Sequence, residues 1–227
     1  MALVEGPFRV DPGAVTADVP AFLERFQRFG ATPSVDTYLP LFHPDATLFD
    51  SGMERPIGVA EIPEHIGAIL NWVPDFHMTP ERWRERDGTL FVEALNRATL
   101  GGTPVRWDSI YCMDLRGDRV VRGRRYYDRR PLFARLNPDI PALVPYAKDD
   151  PISLGELARL LPDLTLQLVS RAGEEALAFV EWRARATVGG APFAFGIAER
   201  SELDGGIVRG GRAYFDTLAL AARRAAG

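Results

Sequence analysis

The chain has 227 residues, of which 46% are hydrophobic and 26% charged, with a formal net charge of -4 at pH 7. These ordinary proportions predict a globular protein, and without a basic face we expect no nucleic-acid partner. The single cysteine, Cys112, excludes an internal disulfide and fits a reducing compartment. Because no stretch reaches the roughly 20 apolar residues of a membrane span and the first ten residues lack a signal-peptide run, we expect a cytoplasmic protein with no membrane partner.

Three helices and a β-ribbon are predicted in the first third of the chain. Asp18 is a suitable N-cap for a helix that ends near residue 30. The apolar face of that helix carries Phe22, Phe26 and Phe29. A shorter helix, kinked at its proline, is predicted over about 35–42. A ribbon over about 46–57 and a helix over about 60–72 follow.

Four antiparallel strands are predicted next. They cover about 75–84, 89–100, 104–115 and 119–128, and glycine-containing turns separate them. A shift of 88 positions then aligns Pro74–Leu132 with Pro162–Leu220 without a gap, and about a third of the aligned residues are identical. This self-similarity indicates an internal duplication, so we expect the same four strands again over about 164–216.

The duplication predicts two units of unequal size. The first, over 14–136, carries the helices, and the second, over 154–227, repeats the sheet with one helical echo. A proline-rich linker, 137–153, joins them. Because a four-stranded sheet with one short helix cannot bury both of its faces, we expect the second unit to pack sheet-to-sheet on the first as an internal pseudo-dimer. Such packing predicts a monomer, or a homodimer formed through other surfaces.

One run of the first unit, from Tyr38 to Asp50, resembles the L-F-x-x-D-A-T motif of SnoaL-like proteins in the nuclear transport factor 2-like family. Gly58, Gly117–Val120 and Tyr126–Asp128 are similar to later landmarks of that family. The resemblance implies an α+β fold, a cone-shaped curved antiparallel sheet wrapped by helices (the cystatin-like cone), with an apolar pocket. Because the family includes ketosteroid isomerase, polyketide cyclases, dehydratases, epoxide hydrolases and non-catalytic binders, it implies chemistry only broadly.

Two carboxylates are candidate catalytic residues through this resemblance. Asp50 falls where ketosteroid isomerase-like sequences place their general base, and partial burial raises the pKa of such a carboxyl toward the working range. The alternative is a turn role, because Asp50-Ser51-Gly52 also suits a turn. Asp108 falls near the position of a protonated aspartate that donates to an oxyanion. Its alternative is a rim carboxylate paired with Arg106.

Histidine and aromatic positions complete the predicted site. The tyrosine donor of the isomerase falls on Phe26, which has no hydroxyl, so His77, Tyr38 and Tyr111 are open as substitutes. We place His77 in the catalytic set, and its alternative is an exposed strand residue. The expected ligand-binding residues are Phe26, Tyr38, Trp72, Asn96, Trp107 and Tyr111. Three scattered histidines predict no metal site, and we expect no cofactor.

The duplication also separates scaffold from site. Asp108 becomes Gly196 and Tyr111 becomes Glu199 in the second unit, so any chemistry is expected in the first. Epoxide hydrolases of this fold carry an aspartate where this chain has Arg125, which argues against that reaction. The sequence therefore predicts a cofactor-independent isomerase, cyclase or dehydratase (a lyase) that transfers protons on a hydrophobic carbonyl compound such as a polyketide, steroid or terpenoid. The alternative is a non-catalytic protein that binds a small apolar ligand or a protein partner.

Overall fold

The computed structural model of the chain describes residues 17–143 and 152–226. The first residues of the predicted 14–136 unit and the middle of the predicted linker lie outside the described residues. The described part contains ten strands in two sheets, six in the first and four in the second. Within it, no helix is long and apolar enough to cross a membrane.

The helices of the first unit precede its main strands. α1 (Val19–Ala31) begins at Asp18, whose carboxylate accepts a hydrogen bond from a backbone N–H of the first turn at 3.1 Å, as predicted. α2 (Val35–Tyr38) is shorter than predicted because the chain continues as a proline-containing 3-10 turn and then enters a strand. α3 is Ile62–Trp72, close to the predicted third helix.

The first sheet has the strand order β2–β1–β6–β5–β4–β3. The bounds are β1 Phe42–Asp50, β2 Ile57–Gly58, β3 His77–Arg86, β4 Thr89–Leu100, β5 Thr103–Arg116 and β6 Arg119–Tyr126. Neighbouring strands are antiparallel except β1 and β6, which run parallel and place Asp50 opposite Arg125. The three phenylalanines of α1 pack on one face of this sheet and form the main core with it. The helix-wrapped α+β cone is therefore confirmed.

The two faces of the first sheet have different partners. We call the face under α1–α3 the inner face and the opposite one the outer face. Because successive side chains of a strand point to opposite faces, Tyr111 and Met113 of β5 join the core below the helices. Ile110 and Cys112 of the same strand lie on the outer face, in a second cluster.

The second sheet has the strand order β10–β9–β8–β7. Its elements, with the short helix that follows β6, are α4 Arg130–Phe133, α5 Leu154–Leu160, β7 Thr165–Ala172, β8 Leu177–Val188, β9 Ala191–Asp204, β10 Ile207–Tyr214 and α6 Thr217–Ala225. Leu157 of α5 and Leu220 of α6 pack on one face of the sheet. The duplication did not predict α6. In the described part of the second unit, no helix corresponds to α1.

The duplicated residues repeat local contacts as well as strands. Asp75 accepts a hydrogen bond from the Thr99 backbone N–H at 3.0 Å, and Asp163 accepts one from the Thr187 backbone N–H at 2.8 Å. A Gly-Gly turn follows in each unit, and its two glycines have positive φ angles. These are 55° and 78° in the first unit and 59° and 75° in the second. Glycine fits these turns because other residues rarely adopt such angles.

The outer face of the first sheet lies against the second sheet. The rings of Phe91 and Phe179, which are 88 positions apart, stack with centroids 5.9 Å apart and an angle of 16° between their planes. The cluster around them consists of Phe91, Ile110, Cys112, Tyr126, Ala172, Leu177, Phe179, Ala198 and Tyr214. Both sheets therefore bury apolar surface against each other.

Buried hydrogen bonds across this contact occur in exchanged pairs. The Tyr126 hydroxyl donates to Glu181 at 2.7 Å, and the equivalent Tyr214 hydroxyl donates to the equivalent Glu93. Each pair joins the two units in the opposite sense, which is the pattern of an isologous two-fold interface. Arg124 adds a two-pronged contact to Glu181, at 2.6 and 2.9 Å.

Candidate functional site

Asp50 ends β1 and opens the turn that leads to β2. Its side chain is buried, and Oδ2 lies 3.5 Å from Nη1 of Arg125. The other carboxylate oxygen, Oδ1, has no hydrogen-bond partner among the described residues. Ser51 fixes the turn, because its hydroxyl donates to the Arg125 carbonyl at 3.3 Å and accepts from the Tyr127 backbone N–H at 3.2 Å. The carboxylate is thus held inside the cone with an unused acceptor.

Arg125 lies beside Asp50 on the inner face of β6. Its Nη2 donates to the Asn96 side-chain oxygen at 2.9 Å, while its Nε has no partner in the described part of the chain. The guanidinium carbon lies 5.0 Å from the ring centroid of Tyr111, 4.6 Å from that of Tyr127 and 5.9 Å from that of Phe76. These rings favour the cation through their π faces.

Asn96 and two residues of β5 hold this arginine in position. The Asn96 amide donates to the Ser109 hydroxyl at 2.9 Å and to the Trp107 carbonyl at 3.1 Å, which leaves its oxygen for Arg125. The Trp107 indole N–H has no acceptor among the described residues. Within the described part of the chain, three polar atoms of these residues therefore lack hydrogen-bond partners: Asp50 Oδ1, Arg125 Nε and Trp107 Nε1.

The electrostatics of the site follow from burial. Removal from water raises the pKa of the Asp50 carboxyl, and the charges of Arg125 and His65 oppose that rise. Burial likewise raises the pKa of the Tyr111 hydroxyl, so this tyrosine stays protonated at neutral pH. The result is a carboxylate of increased basicity beside a fixed cation.

A small cavity lies in the cone beside Tyr111 and Arg125. Its volume is about 20 Å³, enough for a water molecule. Phe26, Tyr38, Tyr111 and Arg125 are among the residues that line it. The Phe26 and Tyr111 rings make an edge contact with centroids 5.0 Å apart. The structure thus brings together Asp50 and five of the six expected ligand-binding residues, Phe26, Tyr38, Asn96, Trp107 and Tyr111.

Asp108 does not lie with Asp50. It precedes the inner-face residue Ser109 by one position, so its side chain points to the outer face, where it pairs with Arg212 of the second sheet. A residue three positions from Tyr111 on a strand cannot share its face. The expected placement of Asp108 with Asp50 in one pocket is therefore wrong. The alternative, a rim carboxylate paired with Arg106, is corrected in its partner, which is Arg212.

His77 and Trp72 also lie away from the buried site. His77 is exposed, because its neighbour Met78 takes the inner face and the core. Trp72, at the end of α3, is 52% exposed and stacks on Phe133 with centroids 5.6 Å apart. The placement of these two residues in the predicted pocket is corrected accordingly.

Arg125, Ser109 and Tyr127 were missed from the sequence. A signal for two of them is present in the duplication, where Arg125 becomes Ala213 and Ser109 becomes Ile197. A polar residue of the inner face that the repeat replaces with an apolar one is a candidate site residue. Among the described residues, no group of three His, Cys, Asp or Glu side chains is placed to hold a metal ion.

Residues 19–123 match the family model described as a SnoaL-like domain. The first unit of this chain belongs to the SnoaL-like family. The match covers α1 through most of β6, the elements that build the cone. It stops two residues before Arg125, so the family match itself does not describe that residue. No curated protein matches the sequence.

Similar solved structures cover about half of this chain. One is a protein with a ketosteroid isomerase-like fold from Catenulispora acidiphila, solved with trimethylamine, at 16% identity and TM-score 0.44 over 49% of this chain and 87% of that one. A candidate SnoaL-like polyketide cyclase from Jannaschia sp. CCS1 is 13% identical over 54% and 96%, with TM-score 0.45. A nuclear transport factor 2-like protein from Anabaena variabilis is 18% identical over 50% and 94%, with TM-score 0.42.

Proposed function

We propose that the SnoaL-like unit is a cofactor-independent enzyme that transfers a proton on a hydrophobic carbonyl compound. The observation that carries the proposal is the pair of buried, adjacent groups, Asp50 and Arg125, each with an atom that lacks a partner among the described residues. Unsatisfied buried polar atoms cost free energy, and they are found where a ligand or water supplies the partner. One is an acceptor and the other a donor, as proton transfer beside a carbonyl requires.

The roles follow from the charges. Oδ1 of Asp50 takes the proton from the carbon next to the carbonyl, and the electron pair of the broken C–H bond moves to the carbonyl oxygen. The enolate oxygen formed accepts hydrogen bonds from Arg125 Nε and, within the same cluster, from Trp107 Nε1. The protonated Asp50 then returns the proton to a different carbon in an isomerase, or to a leaving hydroxyl in a dehydratase.

Arg125 replaces Asp108 in this scheme as the stabiliser of negative charge. A guanidinium remains charged at all accessible pH values, so it stabilises an enolate more strongly than a neutral donor does. Asn96 and the aromatic rings of Tyr111 and Tyr127 hold it against Asp50. Arg125 is therefore assigned to the catalytic set, together with Asp50.

The small cavity limits the substrate. A space of about 20 Å³ admits water but not a ring compound, so substrate binding must displace side chains that line the cone. Partly buried residues that pack against the same core, such as Met53, Ile69 and Phe133, are less enclosed than the cavity lining, and we propose that they move. Polyketide, steroid and terpenoid carbonyl compounds share the apolar surface that this lining requires.

The test measures exchange of substrate hydrogen for solvent deuterium, which reports proton removal without knowledge of the product. A panel of ring ketones is first ranked by thermal shift, and NMR then follows deuterium incorporation at the α carbon. Asp50→Asn is expected to lower the exchange rate about 10²-fold or more. Because the change leaves the buried Arg125 without its carboxylate, the rate is measured well below the melting temperature of the variant. The control Asp108→Asn, on the outer face, is expected to leave the rate unchanged.

Two outcomes would contradict this proposal. Exchange at the full rate in Asp50→Asn would exclude Asp50 as the base. Binding of a ring ketone without any exchange in the parent protein would favour the alternative, a non-catalytic protein that holds an apolar ligand.

We place the protein in the cytoplasm, where its buried Cys112 stays reduced, and we propose that it works as a monomer with an internal pseudo-dimer.

A further inference from the structure

Two grooves open at the contact between the units, and they are equivalent under the 88-residue repeat. The smaller groove, of about 330 Å³, is lined by Asp108, Asp128 and Arg135 among others. The larger groove, of about 950 Å³, is lined by their equivalents Gly196 and Asp216, and by Arg223. The larger groove has a volume near the upper end of the range for ligand pockets, whereas the smaller groove lies near the lower end.

Three positions carry smaller residues in the larger groove than in the smaller one. Positions Arg106, Asp108 and Pro131 of the smaller groove become Ala194, Gly196 and Ala219 in the larger one. Asp108 and Arg212 fill the smaller groove with an ion pair. At Gly196 an added Cβ would lie 2.4 Å from the Tyr126 ring, so this position cannot carry a side chain without a shift of that ring.

The two grooves also differ in how one carboxylate is satisfied. In the smaller groove, both oxygens of Asp128 accept hydrogen bonds from Thr217, including its backbone N–H at 3.1 Å. In the larger groove, the equivalent Asp216 meets Arg129, the equivalent of Thr217. Arg129 reaches only Oδ2, at 2.8 Å from Nε and 2.7 Å from Nη2.

Oδ1 of Asp216 is therefore left without a hydrogen-bond partner in the described part of the chain, although the side chain is only 10% exposed. A buried acceptor of this kind needs a donor from water or from a ligand. The position is built differently from its satisfied equivalent, Asp128, and it lies on the wall of the groove with the greater volume.

We propose that the larger groove is a second ligand site, which binds a hydroxylated, mostly apolar ring compound whose hydroxyl donates to Oδ1 of Asp216. Arg129 already neutralises the carboxylate, so an uncharged hydroxyl suffices and a cation is not required. The rest of the wall combines apolar residues, such as Phe49, Phe195 and Ala219, with charged ones at Glu54, Asp163, Arg185 and Arg223. A ring compound with apolar surface and a hydroxyl donor suits this combination.

The experiment titrates the full chain with 2-naphthol in an isothermal calorimeter. Ala194→Phe adds a ring inside the larger groove, because Ala194 shares a strand face with Gly196. Arg106→Phe is the matched control in the smaller groove. The dissociation constant is expected to rise at least tenfold in Ala194→Phe and to stay within twofold of the parent in Arg106→Phe. Ala219→Phe fills the same groove from α6 and serves if Ala194→Phe does not fold.

The hydroxyl is tested with 2-methoxynaphthalene, which has the same ring system and no donor. It is expected to bind about tenfold more weakly than 2-naphthol, the loss of one hydrogen bond to a charged group. Absence of 2-naphthol binding to the parent, or equal binding to the parent and to the groove-filling variants, would overturn the site. Equal affinity of the two probes would overturn the assignment of Asp216 as the acceptor.

Discussion

Phe179 provides a test of the contact between the two sheets. Its side chain is fully buried, and its ring stacks on that of Phe91 with centroids 5.9 Å apart. Truncation to alanine removes one of the two stacked rings and leaves a cavity between the sheets. Comparable substitutions in protein cores cost about 3–5 kcal/mol, a large part of the roughly 5–15 kcal/mol that stabilises a typical protein.

Urea unfolding followed by circular dichroism measures this cost. Leu168→Ala is the control, because Leu168 belongs to the same sheet but is 50% exposed and away from the contact. Its expected cost is below about 1 kcal/mol. If Phe179→Ala costs no more than Leu168→Ala, Phe179 is not buried in solution, and the packing of the second sheet on the first is refuted.

Three further predictions concern charge and assembly. Because burial raises the pKa of the Asp50 carboxyl above 3.8, and the base must be ionised, kcat/KM for deuterium exchange is expected to fall on an acid limb centred above that pH. A pH profile without such a limb would exclude Asp50 as the base. Glu181 lies at the sheet contact, where burial opposes ionisation but the charge of Arg124 outweighs it and holds the pKa of Glu181 below 4.5. Its stabilising contribution is therefore complete above the unfolded pKa and is lost as pH falls through the folded value, so the stability gap to Glu181→Gln in urea unfolding should shrink below about pH 4.5 and not above it. Residues 1–136 alone expose the outer face, and they are expected to dimerise or aggregate in size-exclusion chromatography with light scattering. A monomer with an unchanged melting temperature would contradict the internal pseudo-dimer.

The sequence predicted the fold well because the fold depends on patterns that are local. Asp18 and the phenylalanine spacing of α1 identify the first helix, and glycine turns identify the strands. The 88-residue repeat also predicted the four strands of the second sheet, because each of them aligns with a strand of the first. α6 was missed because its counterpart in the first unit, around α4, is only four residues long.

The site was harder to predict because it depends on which face each strand residue takes. Asp108 and Tyr111 were placed in one pocket, although an odd separation on a strand puts them on opposite faces. In the sequence, Arg125 was noted only because it stands where epoxide hydrolases of this fold carry an aspartate. Its contact with Asp50 depends on the register in which β1 and β6 pair as parallel strands. The two residues are 75 positions apart in sequence, and no local pattern specifies that register.

The two faces of the repeated sheet have diverged to different extents. On the outer face, three pairs of interface residues are the same in both units: the phenylalanine pair Phe91 and Phe179, the glutamate pair Glu93 and Glu181, and the tyrosine pair Tyr126 and Tyr214. In an isologous contact the same pair of residues meets twice, once in each direction across the two-fold axis. A substitution in either unit therefore breaks one of the two equivalent contacts.

On the inner face, the polar residues that surround Asp50 in the first unit are apolar in the second. Asn96, Ser109 and Arg125 become Ala184, Ile197 and Ala213, and the second unit has no α1 equivalent among the described residues to close a pocket over them. A buried guanidinium without a carboxylate and ring partners would carry a large desolvation cost, so its loss is expected wherever the site is not used. The second unit thus retains the surface that covers the first and lacks the groups that would perform chemistry. This division is what a duplicated unit kept as an internal partner, rather than as a second active site, would show.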